Sequence, residues 1–494
     1  MVGVRGVPVS VEVHVSNGLP GFAVVGLPDT ACREARDRVR AAVLSSGLQW
    51  PMCRVTVNLA PSDLRKSGSG LDLAIAVGLV VASGQLPPAA IDGLAFVGEL
   101  GLDGQIRPVP GLLPLVAACR PADVVVPSAA ASSASAAPGH VVRPVDRLDE
   151  LVTHLRQGRG LAVAEPCPDP EPTPDGPDLS EVAGHPLGRL AVEVAAAGGH
   201  HLLLLGPPGA GKTMLARRVR GLLPTLGDGE ALEVSMVHSA AGQALPPGGL
   251  IRVPPERAPH HGVSAVGLVG GGSNRLRPGE VSLAHRGVLF LDELGEFSPH
   301  VLEMLRQPLE DGSIRVVRAT GAATFPARFL LVAAMNPCPC GEAARPNACR
   351  CTDAERSRYA RRLSGPLLDR FDLRVMVERP PAGVVLQAAS SESTTEVAER
   401  VGRARDRTRV RGVTTNAELA AARLDEVAPL TDASRQLLLS ALERGTLSPR
   451  GAHRLRRVAL TLADLAGEDP PISESHLMTA LTLRAEPSSL LGGR

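Results

Sequence analysis

Residues 201–219 read HLLLLGPPGAGKTMLARRV, and this stretch decides the fold. The run Leu202–Leu205 is short and wholly apolar, as expected of a strand buried on both faces. Gly206, Pro207, Pro208, Gly209, Ala210, Gly211, Lys212 and Thr213 then fit the spacing G-x-x-x-x-G-K-[ST]. Residues 214–223, MLARRVRGLL, read as a helix. Strand, glycine loop and helix form the context in which this spacing cradles phosphates. The glycines let backbone N–H groups curl around them, and the helix N-terminus adds partial positive charge. Lys212 is expected to reach the β- and γ-phosphates and Thr213 to hold Mg²⁺, so ATP and Mg²⁺ are the expected ligands.

Three further segments complete a hydrolytic constellation. In GVLFLDELGEF, 287–297, an apolar strand ends in two carboxylates. Asp292 suits an outer contact to Mg²⁺, and Glu293 suits polarisation of a water for in-line attack on the γ-phosphate. FLLVAAMN, 329–336, is another apolar strand, tipped by Asn336, whose amide suits orientation of that water. SGPLLDRFDL, 364–373, brings Arg370 onto a loop after the last strands. A cation there is poorly placed for its own nucleotide but reaches a neighbour's in a ring, where it would stabilise charge spreading in the transition state. The plain alternative is a surface pair of Arg370 with Asp369 or Asp372.

Composition narrows the partners. The chain has 494 residues, with 52 Lys and Arg against 51 Asp and Glu. A net charge of +1 provides no global field for a polyanion, so any such site is a local patch. The longest apolar run, residues 73–82, is half of the roughly 20 residues a membrane span needs. The first residues, MVGVRGVPVSVEVHV, alternate apolar and polar and lack a leader's apolar core. A cytoplasmic protein with no membrane partner is expected. Only Lys66 and Lys212 are lysines. One Trp, one Tyr and seven Phe are few platforms for stacking single-stranded bases.

The organisation follows. Residues 1–160 read as one α/β unit, with strands at 9–15 and 55–59, helices at 29–44 and 71–83, and a small-residue loop at 127–139. Residues 161–180 form a linker rich in Pro and Asp. Residues 181–380 form a parallel-sheet nucleotide-binding domain, and 381–494 are helical. Within the central domain, Cys338, Cys340, Cys349 and Cys351 are spaced C-x-C-x8-C-x-C. Four thiolates this close suit a tetrahedral Zn²⁺ site; an iron–sulfur cluster and redox-active disulfides are the alternatives. Cys32, Cys53, Cys119 and Cys167 are scattered. Residues 313–332 read as a β-hairpin whose Arg315 and Arg318 suit DNA phosphates, unless they pair with Glu310 and Asp311. The insert 257–279, with His260, His261, Arg275 and Arg277 among glycines, is a second candidate grip; adjacent histidines alone are weak grounds for a metal site. Arg33, Arg36, Arg38 and Arg40 share a helix with Glu34 and Asp37 and read as a solvated face.

The loop, the LDE strand, the Asn-tipped strand and LLDRFD, in this order, resemble AAA+ ATPases. RAPHHGVSAVGLVGGGSNRLRPGEVSLAHRGVLFLDE (257–293), VSNGLPGFAVVGLPDTACREARDRVRAAV (15–43), NPCPCG (336–341) and CRC (349–351) are similar to the magnesium-chelatase-like AAA+ proteins of the YifB/ComM family. The similarity runs over essentially the whole chain. It departs at Glu256, where the family usually has Phe, and at the start, which falls inside the family's usual first residues. NLAPSDLRKSGSGLDLAIAVGL (58–79) and FVGELGLDGQIRPVPGLLPL (96–115) also resemble the proteolytic domain of Lon peptidases. That family's Ser–Lys pair falls here at Gly70 and Leu113, so no peptidase activity is expected. The resemblance implies an inactive Lon-like N-terminal domain, an AAA+ core with a cysteine-rich insertion at 338–351, and a helical C-terminal domain. It implies that Arg450, with Arg454 as competitor, is the second sensor arginine. It further implies a hexameric ring that hydrolyses ATP to move on branched DNA, a branch-migration helicase of recombination during natural transformation. A magnesium-chelatase motor subunit is the alternative, and an ATP-dependent peptidase the disfavoured one.

Overall fold

The computed structural model describes residues 1–165, 176–272, 276–318, 321–343, 348–381, 383 and 391–485. Arg275, Cys167 and part of the linker fall outside the described residues, as do 344–347 within the cysteine segment.

Five parallel strands form the central sheet, in the spatial order Glu256–Arg257, Val288–Leu291, Leu330–Met335, Leu202–Leu205, Leu373–Met376. Their apolar runs are continuous because both faces are covered, and successive side chains alternate between them. Leu202, Leu204, Val288, Phe290, Val332 and Val375 face one core. Leu203, Leu205, Leu289, Leu291, Leu331 and Ala333 face the other, with Phe297, Phe325 and Tyr359. Each such buried side chain contributes roughly 1.5–3 kcal/mol.

The first core is shared with the C-terminal helices. Thr394–Val410 starts at a capping box formed by Ser393 and Glu396. Pro449–Ala466 starts at Ser448 with Pro in its first turn and stops at Gly467 in the left-handed conformation. Both pack on the helix Pro186–Gly198 beside the sheet. The buried Asp464 ties them together, accepting from Arg407, Arg411 and Asn416. Among the described residues no helix is long and apolar enough to cross a membrane.

Among the described residues the N-terminal unit has two three-stranded sheets and the antiparallel pair Glu99–Leu100 with Ile106–Arg107. Arg54–Ala60 lies between Ser10–Ser16, antiparallel, and Gly21–Val25, parallel. Asp123–Pro127 lies between Leu94–Phe96 and Val141–Val145, both parallel. The helices Thr30–Ser45 and Asp72–Ala82 cover the first sheet, close to the expected spans. Leu112–Ala118 seats the unit against the core helix Asp228–Ala241, with Leu232, Met236 and Leu245 completing an apolar contact.

Several expectations need correction. Residues 127–139 are not a loop: Ser128–Ala130 is a 3₁₀ turn and Ala131–Ser135 a short helix, since alanine is the best helix former. The helix after the glycine loop is only Lys212–Ala216. Beyond it the bonding tightens to i−3, as in Arg218 N–H to Leu215 O and Val219 N–H to Ala216 O. At the two ends of the expected linker, Leu161 packs in the N-terminal core and Leu179 in the central one. Arg38 is no solvated residue. It turns inward and binds the buried Asp72 through Nε at 2.7 Å and Nη2 at 3.0 Å.

Candidate nucleotide-hydrolysis site

The parallel sheet brings three strand ends side by side. Met335 pairs with Leu205, and Leu291 with Ala333, so the residues following each strand share one edge. Such a carboxyl edge is where open α/β sheets bind ligands. Gly206 is required by close approach: a Cβ there would lie 2.0 Å from the Val377 carbonyl oxygen. Gly211 is required by conformation, with φ of 83° just before the helix. Buried Lys212 donates from Nζ to the carbonyls of Gly206 at 2.8 Å and Pro207 at 2.9 Å, and to Asn336 Oδ1 at 3.1 Å. Burial lowers its pKa, and the neighbouring Arg379 adds to that lowering.

Thr213 Oγ1 donates to Asp292 Oδ2 at 3.0 Å. This hydroxyl and carboxylate are hard oxygen ligands of the kind Mg²⁺ takes while keeping most of its waters. Glu293 stands in the left-handed region at φ 52°, which for a side-chain-bearing residue costs about 1–3 kcal/mol. Its N–H donates to Asp292 Oδ1 at 3.0 Å. Its carboxylate faces His261, with Nδ1 to Oε2 at 3.5 Å. His261 stacks on His260, ring centroids 3.9 Å apart, and meets Phe297 edge-on. The histidine pair therefore confronts the second carboxylate of the LDE strand. Nothing in the spacing of residues 260–261 signals that meeting.

The arginines lie at the other end of the sheet. Arg370 precedes Leu373–Met376, whose first residue pairs with Leu202 and whose last pairs with Leu205 beside the loop. Arg370 pairs with Glu310, neither Asp369 nor Asp372, and its Nε is buried without a hydrogen-bond partner. Burial lowers its pKa, reinforced by Arg454, Arg450 and Arg306. Arg454 Nε lies 3.6 Å from Asp372, which also accepts from the buried His200 Nδ1 at 3.4 Å. Arg450, exposed in the first turn of Pro449–Ala466, thus keeps company with Arg370 rather than with Lys212.

Residues 313–326 are a β-hairpin, Ser313–Arg318 against Gly321–Pro326. Ile314 and Val316 face the core, while Arg315 and Arg318 are exposed. Glu310, offered as their partner on sequence grounds, is taken by Arg370. The four cysteines of the insertion converge: each offers a sulfur, and all four sulfurs lie within 4.8 Å of one another. In the N-terminal unit, a Cβ on Gly70 would meet only Val109 and Leu115 side chains. Leu113 is fully buried, with its N–H directed at Ser239 Oγ at 3.4 Å. Ser69 donates to Glu99 and Lys66 to the Pro61 carbonyl, so this serine and lysine engage other partners. Burial pushes the Cys32 thiol up to about 12, and the nearby Asp29 adds to the rise.

Sequence comparisons agree with this architecture. Residues 178–384 match the family model for magnesium chelatase, subunit ChlI; residues 11–130 match subunit ChlI of Mg-chelatase, and 391–484 its C-terminal region. An uncharacterized protein of Mycobacterium tuberculosis is 49% identical over 477 residues, covering 95% of this chain and 94% of that protein. The uncharacterized protein YifB of Escherichia coli is 42% identical, covering 98% and 95%. The competence protein ComM of Haemophilus influenzae is also 42% identical, covering 98% and 96%. A parallel sheet with this site at its edge, and kinship along almost the full chain, lead to one conclusion: the chain belongs to the YifB/ComM family of magnesium-chelatase-like AAA+ proteins.

Proposed function

We propose that the protein is a ring-forming ATPase that moves on DNA, acting as a branch-migration helicase in recombination during natural transformation. The observation that carries this reading is the joining of two features on one core. A hydrolytic edge with Lys212, Thr213, Asp292, Glu293 and Asn336 shares its apolar core with a hairpin that offers Arg315 and Arg318 to solvent. The name of the ComM relative, a competence protein, supports the same direction.

Lys212 would leave its carbonyl partners for the phosphate oxygens. Mg²⁺, when bound by Thr213 and Asp292, would neutralise charge on the β- and γ-phosphates. Asn336 orients the attacking water and Glu293 takes its proton as the oxygen bonds to the γ-phosphorus and ADP departs. His261 holds the Glu293 carboxylate aside until that water is in place. Arg370 and Arg450 face away from their own loop and complete the site of a neighbouring subunit in a hexameric ring. The tetrathiolate cluster holds Zn²⁺, which suits four converging sulfurs without redox chemistry. The N-terminal unit is an inactive Lon-like scaffold, consistent with apolar neighbours at Gly70.

The test is ATP hydrolysis with and without branched DNA, run beside strand displacement. Stimulation by a branched substrate together with displacement is expected. Hydrolysis indifferent to every DNA, with stimulation by a porphyrin-binding partner instead, would favour the magnesium-chelatase reading that the family match keeps open.

A further inference from the structure

The cysteine segment adjoins the Asn336 strand tip and touches the phosphate loop. Cys338 follows Asn336 by two residues, and Asn336 accepts from Lys212. Gly341, at φ 80°, lies flat on the phosphate loop: a Cβ there would fall 2.3 Å from Pro208 Cδ. Arg379 donates to the Pro208 carbonyl from Nε at 2.9 Å and Nη2 at 2.8 Å, and the same Nη2 meets Glu342 Oε1 at 3.1 Å. Beyond the last cysteine, the helix Asp353–Ala360 carries the buried Tyr359, whose ring packs on Gly295, two residues past Glu293. Three sulfur pairs, Cys338–Cys340, Cys338–Cys349 and Cys340–Cys349, are separated by 3.4, 3.7 and 3.6 Å.

We propose that the metal held by Cys338, Cys340, Cys349 and Cys351 controls nucleotide binding, clamping the phosphate loop through Gly341 and through the Glu342–Arg379–Pro208 bridge. The proposal rests on the metal reading of the cysteine cluster. The ligand class is a thiophilic divalent cation, and zinc is its representative. The physical reason is chain connectivity. The metal cross-links 338–340 to 349–351 and thereby fixes the two residues, Gly341 and Glu342, that bear on Pro208. Without it, the sulfurs have no common ligand and the Gly341–Glu342 turn loses its anchor. The loop then samples shapes in which its N–H groups no longer converge on phosphates. Residues just outside a metal's ligands typically change metal affinity or activity about 10–100-fold when lost, and Gly341 and Glu342 occupy that position here, so the low end of that range is taken for the loop.

The experiment uses the full chain in excess Mg²⁺. Zinc content is measured by elemental analysis, and dissociation of a fluorescent ATP analogue is measured before and after a zinc-selective chelator. About one zinc per chain and affinity weakened about tenfold on stripping, restored by added Zn²⁺, are expected. Gly341→Ala supplies an independent arm: its Cβ pushes on Pro208, so nucleotide binding should weaken with zinc retained. If zinc-loaded Gly341→Ala and folded zinc-free protein both bind the analogue as tightly as the wild type, the clamp is overturned while the metal site stands. If stripping unfolds the chain, the Gly341→Ala affinity alone decides. A purified protein that carries no thiophilic metal and takes up none overturns both readings.

Discussion

The two ends of the central sheet differ in what they can do alone. At the carboxyl edge, Lys212, Thr213, Asp292 and Asn336 already touch one another, and Glu293 is bonded to its neighbour through the backbone. At the amino edge, Arg370, Arg450, Arg454 and Arg306 crowd together, and their mutual repulsion is relieved by Glu310 and Asp372. Like charges gathered together raise the energy of the isolated subunit, which supports the proposal that this edge receives an anion. Under the proposed ring, that is the phosphate edge of the next subunit. Strand length separates the two ends.

The largest effect should come from breaking the carboxyl edge. Glu293→Gln keeps size and hydrogen bonding but removes the base. Turnover should fall by about 10²–10⁴-fold while binding of an ATP analogue is retained. Phosphate release at normal rates would take Glu293 out of that role.

Next comes a test of whether the two ends belong to different subunits. Arg370→Ala and Glu293→Gln should each be inactive alone. In assembled mixtures some interfaces join the intact Arg370 of one subunit to the intact Glu293 of another, so partial ATPase activity should return. Mixed rings that stay silent would place Arg370 elsewhere in the mechanism.

A smaller, graded effect concerns the hairpin Ser313–Arg318 with Gly321–Pro326. Arg315→Ala combined with Arg318→Ala should weaken binding to all DNA sequences alike. The log–log salt slope should drop by up to roughly two contacts' worth, about 0.7–0.9 each. Basal hydrolysis without DNA should persist. Unchanged binding and salt dependence would move the grip to residues 257–279 or the N-terminal unit.

The smallest effect is a pH dependence of the amino edge. His285 is buried and its pKa is pushed down to about 4, mainly by burial; Glu233 opposes that shift, while Arg286 and Arg328 add to it. Its Nδ1 accepts the Arg328 N–H at 3.0 Å, which requires the neutral ring. The folded pKa lies below the unfolded value of about 6.5, so the unfolded chain takes up the proton first. Stability from this group is full above pH 6.5 and is lost as pH falls toward 4, by at most about 1.4 kcal/mol per pH unit. Thermal unfolding of wild type and His285→Ala at pH 7.5 and 5 checks the sign: the variant should be less stable at pH 7.5 and less sensitive to the drop. Equal sensitivity would assign the acid response to other groups.

Most of the carboxyl edge was legible because its chemistry is local. A fixed spacing from Gly206 to Thr213, and apolar strands ending in Asp292, Glu293 and Asn336, follow from what a parallel sheet and a phosphate require. A hairpin was legible over 313–332, though its pairing ends at Pro326 and Leu330 already belongs to the central sheet; the metal-ligating potential of the cysteines was legible from their spacing. The length of the helix after Lys212 was not, because a tightening from i−4 to i−3 bonding is decided by packing around Arg218, which bonds Met214 O and Glu181.

Sequence alone thus determined the strand–loop–helix unit, the acidic strand tip and the thiol cluster. Each depends on residue type and short-range spacing, where sterics and hydrogen bonding act within a few residues. Tertiary structure alone decided which distant side chains meet. His261 faces Glu293, Glu310 holds Arg370, Arg38 buries itself on Asp72, and Gly341 rests on Pro208. These pairings join segments tens to hundreds of residues apart. Their formation is set by how each core closes, because charges and glycines are common along the chain and only packing selects which of them come within reach.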